Sequence, residues 1–157
     1  MRVGFGYDVH RFAPERKLIL CGVEIPYELG LLGHSDADVA THALIDALLG
    51  AAGLGDIGEH FPDSDKRYAG ISSLELLSET MKKLAQKGFR LVNADLTIVA
   101  ERPKIGPYRD KMRKTLASVL KCPEEAINIK GKTTEKMGFT GRKEGIAAYA
   151  VVLITHD

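Results

Sequence analysis

Near the N-terminus the sequence reads Val3-Gly4-Phe5-Gly6-Tyr7-Asp8-Val9-His10, with an apolar side chain at every second position. This period of two predicts a strand over 2–12, because successive side chains of a strand point to opposite faces. Asp8 and His10 then share the second face with two glycines, which are expected to leave that face open. A carboxylate beside an imidazole is half of a metal site, and a third ligand would make an open catalytic zinc site.

The third ligand is expected to be His42. It lies in a helix predicted over 36–50, with Ser35 as the N-cap. Helical periodicity places His42 away from the apolar stripe, on the face that also holds Asp38 and Asp46. A carboxylate one turn away would orient the imidazole for a metal, whereas the alternative is a surface histidine paired with Asp46. Two histidines and one aspartate leave one tetrahedral position open, as in catalytic zinc sites.

The remaining periodic segments predict an α+β chain. Strands are expected over 17–25, 91–101, 126–130 and 146–154, and helices over 72–87 and from Pro107 onward. The strand over 146–154 is apolar on both faces and should therefore be covered on both. Three helices can cover only one face of so small a sheet, so we expect copies of the chain to pack sheet to sheet. The alternative is an interior strand with loops on its far side.

Composition narrows the class of protein. A length of 157 residues suits one domain, and a net charge of +1 argues against a broad nucleic-acid surface. Cys21 and Cys122 fit no metal or redox spacing and are expected to be reduced thiols. The sequence has no long apolar N-terminal region and no run of 18 uncharged apolar residues, so we expect a cytoplasmic protein without a membrane partner.

Polar loops offer candidate phosphate ligands. His34 and Ser35 precede the first predicted helix, whose N-terminus would attract phosphate, although Ser35 also suits a plain N-cap. Carboxylates in the loop over 53–65 either cap turns or accept hydrogen bonds from sugar hydroxyls. The segment over 131–135 lacks the first glycine of a P-loop, yet its ammonium, hydroxyls and carboxylate suit a phosphate with magnesium. Arg142 is either an anion ligand or a solvated side chain.

Dispersed motifs recur in a fixed order along the whole chain: Gly6-Tyr7-Asp8-Val9-His10, His34-Ser35-Asp36, Asp56-Ile57-Gly58, Phe61-Pro62-Asp63, Thr133-Thr134-Glu135-Lys136 and Gly138-Phe139-Thr140-Gly141-Arg142. With them the chain resembles the 2-C-methyl-D-erythritol 2,4-cyclodiphosphate synthase family. The resemblance implies a phosphorus–oxygen lyase of the non-mevalonate isoprenoid pathway, which acts on 4-diphosphocytidyl-2-C-methyl-D-erythritol 2-phosphate and releases CMP. It also implies a single catalytic domain over 1–157, folded as a compact two-layer α+β sandwich with a mixed sheet and helices on one face. The family is a homotrimer, with sheets facing the threefold axis and active sites between subunits.

The resemblance also assigns roles to residues. Asp8, His10 and His42 would hold zinc, and Glu135 would help to hold magnesium or manganese. His34 and Thr133 would steady the charge that develops at phosphorus. The full set of substrate-binding residues that it implies is Asp8, His10, Ser35, Asp56, Ile57, Gly58, Phe61, Pro62, Asp63, Ser64, Asp65, Ala100, Glu101, Arg102, Pro103, Lys104, Ile105, Gly106, Lys132, Thr133, Thr134, Glu135, Phe139 and Arg142.

Within that set the resemblance distinguishes three regions. Residues 56–65 would hold the methylerythritol part, while 100–106 and 132–134 would line a cytidine pocket from the adjacent subunit. Phe139 and Arg142 would lie near a cavity on the threefold axis that can hold an isoprenoid diphosphate.

Two other functions fit the same residues. A zinc-dependent phosphohydrolase would use the Asp-His-His set with a metal-bound water and would release free phosphate. A non-catalytic trimeric protein that binds a prenyl diphosphate through Arg142 would show no turnover. A protein ligand in the fourth position would favour the binding protein, but only His60 is available nearby and its spacing supports no such role.

Overall fold

In the computed structural model, which describes residues 1–157, a five-stranded mixed sheet carries helices on one face. The strands are β1 (Arg2–Ala13), β2 (Leu18–Leu20), β3 (Val23–Ile25), β4 (Gly30–Leu31), β5 (Phe89–Val99), β6 (Ile127–Lys132) and β7 (Gly145–His156). The helices are α1 (Val39–Ala51), α2 (Ile57–His60), α3 (Ser73–Gln86), α4 (Arg109–Leu120) and α5 (Gly138–Gly141). The strand order is β4-β1-β7-β5-β6, and β2 and β3 form a separate hairpin. The predicted α+β fold with a mixed sheet is confirmed.

The centre of the sheet is β7, which pairs antiparallel with both β1 and β5. β5 and β6 are parallel, and α4 lies in the crossover between them, as a parallel pair requires. The chain therefore brings the end of β1, the end of β5, the end of β6 and the start of β7 to one edge of the sheet. This edge carries most of the side chains that the sequence singled out.

Two glycines of β1 determine how α1 packs on the sheet. A Cβ atom at Gly4 would collide with the backbone oxygen of Ala47, and one at Gly6 with that of Ala43. The expectation that these glycines leave the face open is therefore wrong. They allow the backbone of α1 to lie directly against the strand, in the layer where the core of Leu and Ile side chains is buried.

The opposite face of β1 and β7 is apolar and exposed. We call it the open face; its large side chains are Val3, Phe5, Tyr7, Val9, Tyr149 and Val151, and they are 39–68% exposed. Tyr149 packs between Phe5 and Tyr7 in the middle of this face. Loops of the chain therefore do not cover it, and the alternative of a sheet shielded by its own loops is wrong. Packing of copies sheet to sheet stays a prediction.

The strand predicted over 17–25 is in fact the β2–β3 hairpin. Cys21 and Gly22 at its tip have φ angles of +51° and +74°. Positive φ at both central residues is the geometry of the tight turns that join antiparallel strands. The run of apolar residues concealed the turn, because Cys21 is itself buried and counts as apolar in any periodicity.

The N-cap of α1 is Asp38, and the assignment of Ser35 as the cap is wrong. The Asp38 carboxylate is fully buried and accepts hydrogen bonds from the backbone N–H of Thr41 at 3.0 Å and its hydroxyl at 2.7 Å. It also accepts from the N–H groups of Cys21 at 2.9 Å and Gly22 at 2.7 Å. One carboxylate therefore ties the β2–β3 turn to the first turn of α1.

Smaller differences concern the ends and faces of elements. α3 begins after Ser72, whose hydroxyl accepts from the N–H of Leu74, as the sequence predicted for 72–87. In β5 a bulge between Leu91 and Asn93 turns Val92 away from the buried face, so Leu91 replaces it there. Among the helices, none combines the length and the apolar character needed to cross a membrane.

Candidate metal centre and active site

Three side chains from two elements converge at one edge of the sheet. The Nε2 atom of His10 lies 3.0 Å from Oδ2 of Asp8, and Nδ1 of His42 lies 3.2 Å from the same oxygen. The two histidine nitrogens are 3.3 Å apart. Asp8 and His10 come from β1 and His42 from α1, so the close packing of that helix on Gly4 and Gly6 is what brings the three together.

These distances fit a tetrahedral metal ion. With metal–ligand bonds of about 2.0–2.1 Å, tetrahedral ligand atoms lie roughly 3.3 Å apart. The donor set of two imidazoles and one carboxylate is common for zinc, and it leaves one coordination position for a substrate. No other group of three histidine, cysteine or carboxylate side chains in the chain has ligand atoms close enough to hold an ion.

His10 is held in the tautomer that a metal ligand needs. Its Nδ1–H donates to the backbone carbonyl of Leu32 at 2.7 Å, which leaves Nε2 with a lone pair directed at Asp8. A backbone carbonyl behind a ligating histidine fixes both the ring orientation and the tautomer.

His42 is oriented by Ser73, not by Asp38 or Asp46, so the prediction of a carboxylate one turn away is wrong. The Nε2 atom of His42 lies 2.8 Å from Oγ of Ser73 and 3.1 Å from Oγ of Ser35. Asp38 is committed to the α1 cap, and Asp46 accepts from the N–H of Ile57 at 2.8 Å. The alternative of a surface His42 paired with Asp46 is excluded as well, because the His42 side chain is only 12% exposed.

The electrostatics of the triad favour an ionised carboxylate. Burial alone would raise the pKa of Asp8, but the imidazoles of His10 and His42 beside it outweigh burial and lower that pKa to about 2. Burial opposes charge on His10 too, yet the hydrogen bond with Asp8 and its charge raise the pKa of His10 above its usual value. The site therefore attracts a positive charge into the space between the three ligand atoms.

A cavity of about 350 Å³ opens over the triad. Of the residues predicted for the site, Asp8, His10, His34, Ser35, His42, Ile57, Gly58, Phe61, Pro62 and Asp63 line it. Gly33, Tyr68 and Leu76 line it too, and the sequence did not predict them because none of the three carries a side chain typical of metal or phosphate ligands. Residues as far apart in the sequence as Asp8 and Leu76 thus line one cavity.

A hydrogen bond to the backbone of the 61–65 loop holds the His34 ring in place. Its Nε2 atom lies 3.1 Å from the backbone oxygen of Asp65, whose carboxylate is paired with the Arg67 guanidinium at 2.6 Å. Asp56 caps α2 by accepting from the N–H of Glu59 at 3.0 Å. Asp56 and Asp65 therefore cap local turns in this chain, which is one of the two alternatives that the sequence left open for such loop carboxylates.

The phosphate site predicted at the start of α1 is not formed there. The cap position is filled by the Asp38 carboxylate, and Val39, Ala40 and Thr41 in the first turn are fully buried. His34 and Ser35 nevertheless face the cavity, because the chain from Gly33 to Asp36 runs along its edge before the helix begins.

The residues predicted to bind the nucleotide, with the exception of Thr134, line a second cavity. It measures about 270 Å³, and its lining residues are Ala100, Glu101, Arg102, Pro103, Lys104, Ile105, Gly106, Arg109, Gly131, Lys132 and Thr133. Arg109 and Gly131 were not predicted. The two cavities share no residue, although both lie at the same edge of the sheet.

The last predicted residues lie apart from the triad. Glu135 is exposed, has a φ of +52° and donates its N–H to the Thr133 hydroxyl at 3.3 Å. Thr134 donates its hydroxyl to the Met137 carbonyl at 2.6 Å. Arg142 pairs with Glu144 at 2.5 Å. Within one chain, Glu135 is therefore not part of the Asp8-His10-His42 group.

Comparison with known proteins identifies the family. The model of the YgbB family matches residues 1–155 of the chain. The chain belongs to the YgbB family. It is 62% identical over 154 residues to 2-C-methyl-D-erythritol 2,4-cyclodiphosphate synthase of Symbiobacterium thermophilum, covering 98% of each protein. The resemblance inferred from the motifs is thereby confirmed.

Solved structures agree in fold. The bifunctional IspDF from Campylobacter jejuni superposes with a TM-score of 0.96 at 45% identity, covering 99% of this chain and 42% of that one. A 2C-methyl-D-erythritol-2,4-cyclodiphosphate synthase in a CDP-bound form superposes with a TM-score of 0.90 at 42% identity, covering 98% and 100% of the two chains. The fold of this YgbB-family member is thus that of cyclodiphosphate synthases.

Proposed function

We propose that this protein converts 4-diphosphocytidyl-2-C-methyl-D-erythritol 2-phosphate into 2-C-methyl-D-erythritol 2,4-cyclodiphosphate and CMP, a step of non-mevalonate isoprenoid biosynthesis. The observation that carries the proposal is the convergence of Asp8, His10 and His42 beneath a cavity lined by His34, Ser35 and the 57–63 loop. Membership of the YgbB family and the name of the 62% identical relative support the same reaction.

The chemistry asks for positioning more than for a covalent catalyst. An oxygen of the 2-phosphate forms a bond to the β-phosphorus, and the bond from that phosphorus to the bridging oxygen breaks. CMP leaves with that oxygen and its electron pair. A phosphate nucleophile needs no strong base, so no side chain has to act as a nucleophile or to deprotonate one. Folding the substrate so that its two ends meet is the main contribution of the site.

The metal of the triad is proposed to be zinc. Asp8, His10 and His42 would hold it, and a bound zinc ion would supply a Lewis acid that withdraws charge from a phosphate oxygen. Glu135 is proposed to help hold a magnesium or manganese ion on the diphosphate. His34 lines the cavity over the triad and Thr133 lines the second cavity. Both would donate hydrogen bonds to the phosphate oxygens on which charge develops during the reaction.

The substrate would span two subunits. The cavity over the triad suits the methylerythritol phosphate part, held by residues 56–65. The residues proposed for cytidine line a separate cavity that shares no residue with the first. A neighbouring subunit can bring its own 100–106 and 132–134 segments to the triad, whereas one chain keeps the two cavities apart.

The open face supports a homotrimer whose sheets face a common axis. Val3, Phe5, Tyr7, Val9, Tyr149 and Val151 expose a continuous apolar surface on one chain. Surfaces of this kind mark association sites in natural proteins. Phe139, which is 37% exposed, and Arg142 precede β7 and are proposed to line an axial cavity for an isoprenoid diphosphate. The proposed location is the cytoplasm.

The test follows CMP release from the substrate with zinc and magnesium present. His42→Ala should lose zinc and most activity while the oligomer persists, because it removes one ligand of three. His156→Ala is the matched control, since His156 stacks on Phe89 at the far end of the sheet. Equal activity in the two variants would contradict the metal-centred proposal.

A further inference from the structure

A buried hydroxyl and a half-buried carboxylate lie behind His42, on the side away from the triad. Ser73, the first residue of α3, is fully buried, and its Oγ is 2.8 Å from Nε2 of His42. The same hydroxyl is in a short hydrogen bond with Oδ1 of Asp36, and the N–H of Ser73 donates to Oδ2 of Asp36 at 3.0 Å. The sequence drew attention to neither side chain as a partner of His42.

The direction of these hydrogen bonds follows from the donor inventory. An ionised carboxylate can only accept hydrogen bonds, so the Ser73 hydroxyl donates its one proton to Asp36. Its oxygen then offers only lone pairs to the ring of His42. His42 must therefore donate from Nε2, and a neutral imidazole that is protonated at Nε2 has its lone pair on Nδ1. Nδ1 is the atom that faces Asp8 and His10.

The carboxylate that sets this direction is itself held by hydrogen bonds from two residues. Asp36 receives the N–H of Asp38 at 3.1 Å in addition to both groups of Ser73. These contacts join α3 to the chain segment immediately before α1, across 37 residues of sequence. Ser35 also approaches Nε2 of His42, at 3.1 Å, but no carboxylate hydrogen bond orients its hydroxyl.

We propose that Ser73 and Asp36 are positioning residues of the metal centre, which fix His42 in the tautomer that presents Nδ1 to the ion. The proposal deepens the metal site of the proposed function and rests on it. Partners behind a ligating histidine typically change metal affinity by about 10–100-fold when they are removed. Here the partner is a hydroxyl whose direction a carboxylate dictates, rather than a carboxylate in direct contact with the ring.

We call the hydrogen-bonded chain from Asp36 through Ser73 to His42 the relay. Two variants test it, and a third controls for the loss of a buried hydroxyl. Ser73→Ala removes the acceptor of the His42 proton. Asp36→Asn keeps the size of the side chain but allows the Ser73 hydroxyl to donate to His42 instead. Thr80→Val removes another fully buried hydroxyl of α3, which donates to the Leu76 carbonyl and has no contact with His42.

The first readout is the zinc dissociation constant, from competition with a chromophoric chelator. We expect it to rise about 10–100-fold in Ser73→Ala and Asp36→Asn and to stay within about twofold in Thr80→Val. The second readout is the tautomer of His42 in the zinc-free protein, from the ring ¹⁵N chemical shifts. The wild type should carry a proton on Nε2, whether or not Asp8 also holds one on Nδ1, and both relay variants should populate rings that lack the Nε2 proton.

Wild-type affinity and an unchanged tautomer in both relay variants would overturn the proposal, and so would an equal loss of affinity in Thr80→Val. If Ser73→Ala fails to fold, Asp36→Asn decides alone. The tautomer measurement needs no metal and no substrate. A wild type that binds no zinc would therefore contradict the proposed metal site, while the His42 shifts would still test the relay.

Discussion

Substitution of Gly6 by alanine should damage the metal centre without touching a ligand. The new Cβ atom would collide with the backbone oxygen of Ala43, one residue after His42. A backbone oxygen cannot rotate away as a side chain can, so α1 itself must move. The new Cβ would lie 1.9 Å from that oxygen, and non-bonded heavy atoms rest about 3.5 Å apart, so α1 must retreat from β1 by roughly 1.5 Å.

A displacement of that size matters more to the metal than to the fold. Metal–ligand distances tolerate changes of about 0.2 Å, whereas overpacking a core typically costs about 1–3 kcal/mol. We therefore expect the zinc-free variant to lose about 1–3 kcal/mol of unfolding free energy in urea. Zinc affinity should fall by at least about tenfold, because His42 no longer reaches the position set by Asp8 and His10.

Gly50→Ala is the matched control. It lies in the last turns of the same helix, and a Cβ atom there meets nothing within 4 Å. Replacing a helical glycine by alanine should stabilise the protein by about 0.5–1 kcal/mol and leave zinc affinity unchanged. If Gly6→Ala binds zinc like the wild type and unfolds at the same urea concentration, close packing of α1 on β1 does not position His42.

Three further predictions concern other contacts. Asp38→Ala should cost about 3 kcal/mol or more in urea unfolding, because it leaves the buried N–H groups of Cys21 and Thr41 and the half-buried N–H of Gly22 without an acceptor. A loss below about 1 kcal/mol would refute this. Val151→Lys should convert the predicted oligomer to monomers in sedimentation experiments, because it places a charge in the middle of the apolar open face. An intact oligomer would show that the subunits meet elsewhere. Arg16→Met should lower kcat more than it changes KM, because the Arg16 guanidinium donates to the carbonyls of Leu31 at 2.6 Å and Ser35 at 3.0 Å. These bonds hold the loop that carries the Leu32 carbonyl and His34, so an unchanged kcat would mean that the loop keeps its conformation without Arg16.

The strand and the metal triad could be predicted because their signals are local. Asp8 and His10 are two residues apart in a regular strand, so their common face follows from strand geometry alone. His42 needed one further assumption, that its helix faces this strand. Gly4 and Gly6 carry that information, since only glycine lets a helix backbone approach so closely, but in the sequence they suggested an open face instead.

The partners of the ligands could not be predicted because they are distant in sequence. Ser73 lies 31 residues after His42, and nothing near Ser73 distinguishes it from an ordinary serine at the start of a helix. The acidic neighbours Asp38 and Asp46 gave a plausible local answer, but each is bound elsewhere. The β2–β3 turn was concealed in a similar way, because a buried cysteine in a left-handed conformation looks like a strand residue.

The two sides of the sheet show the same limit. The sequence indicated correctly that β7 is apolar on both faces, and helices cover the side of Ala148, Ala150 and Val152. Tyr149 and Val151, on the other side, stay exposed in the single chain. The association of subunits therefore stays a prediction, as does the delivery of the 100–106 segment to a neighbouring triad.

The most direct test of the account is analysis of the products by phosphorus NMR. The protein would be incubated with 4-diphosphocytidyl-2-C-methyl-D-erythritol 2-phosphate, zinc and magnesium. We expect CMP and a cyclic diphosphate in equal amounts, because the 2-phosphate attacks within the same molecule. Inorganic phosphate without the ring, or no turnover by a zinc-loaded protein, would contradict it.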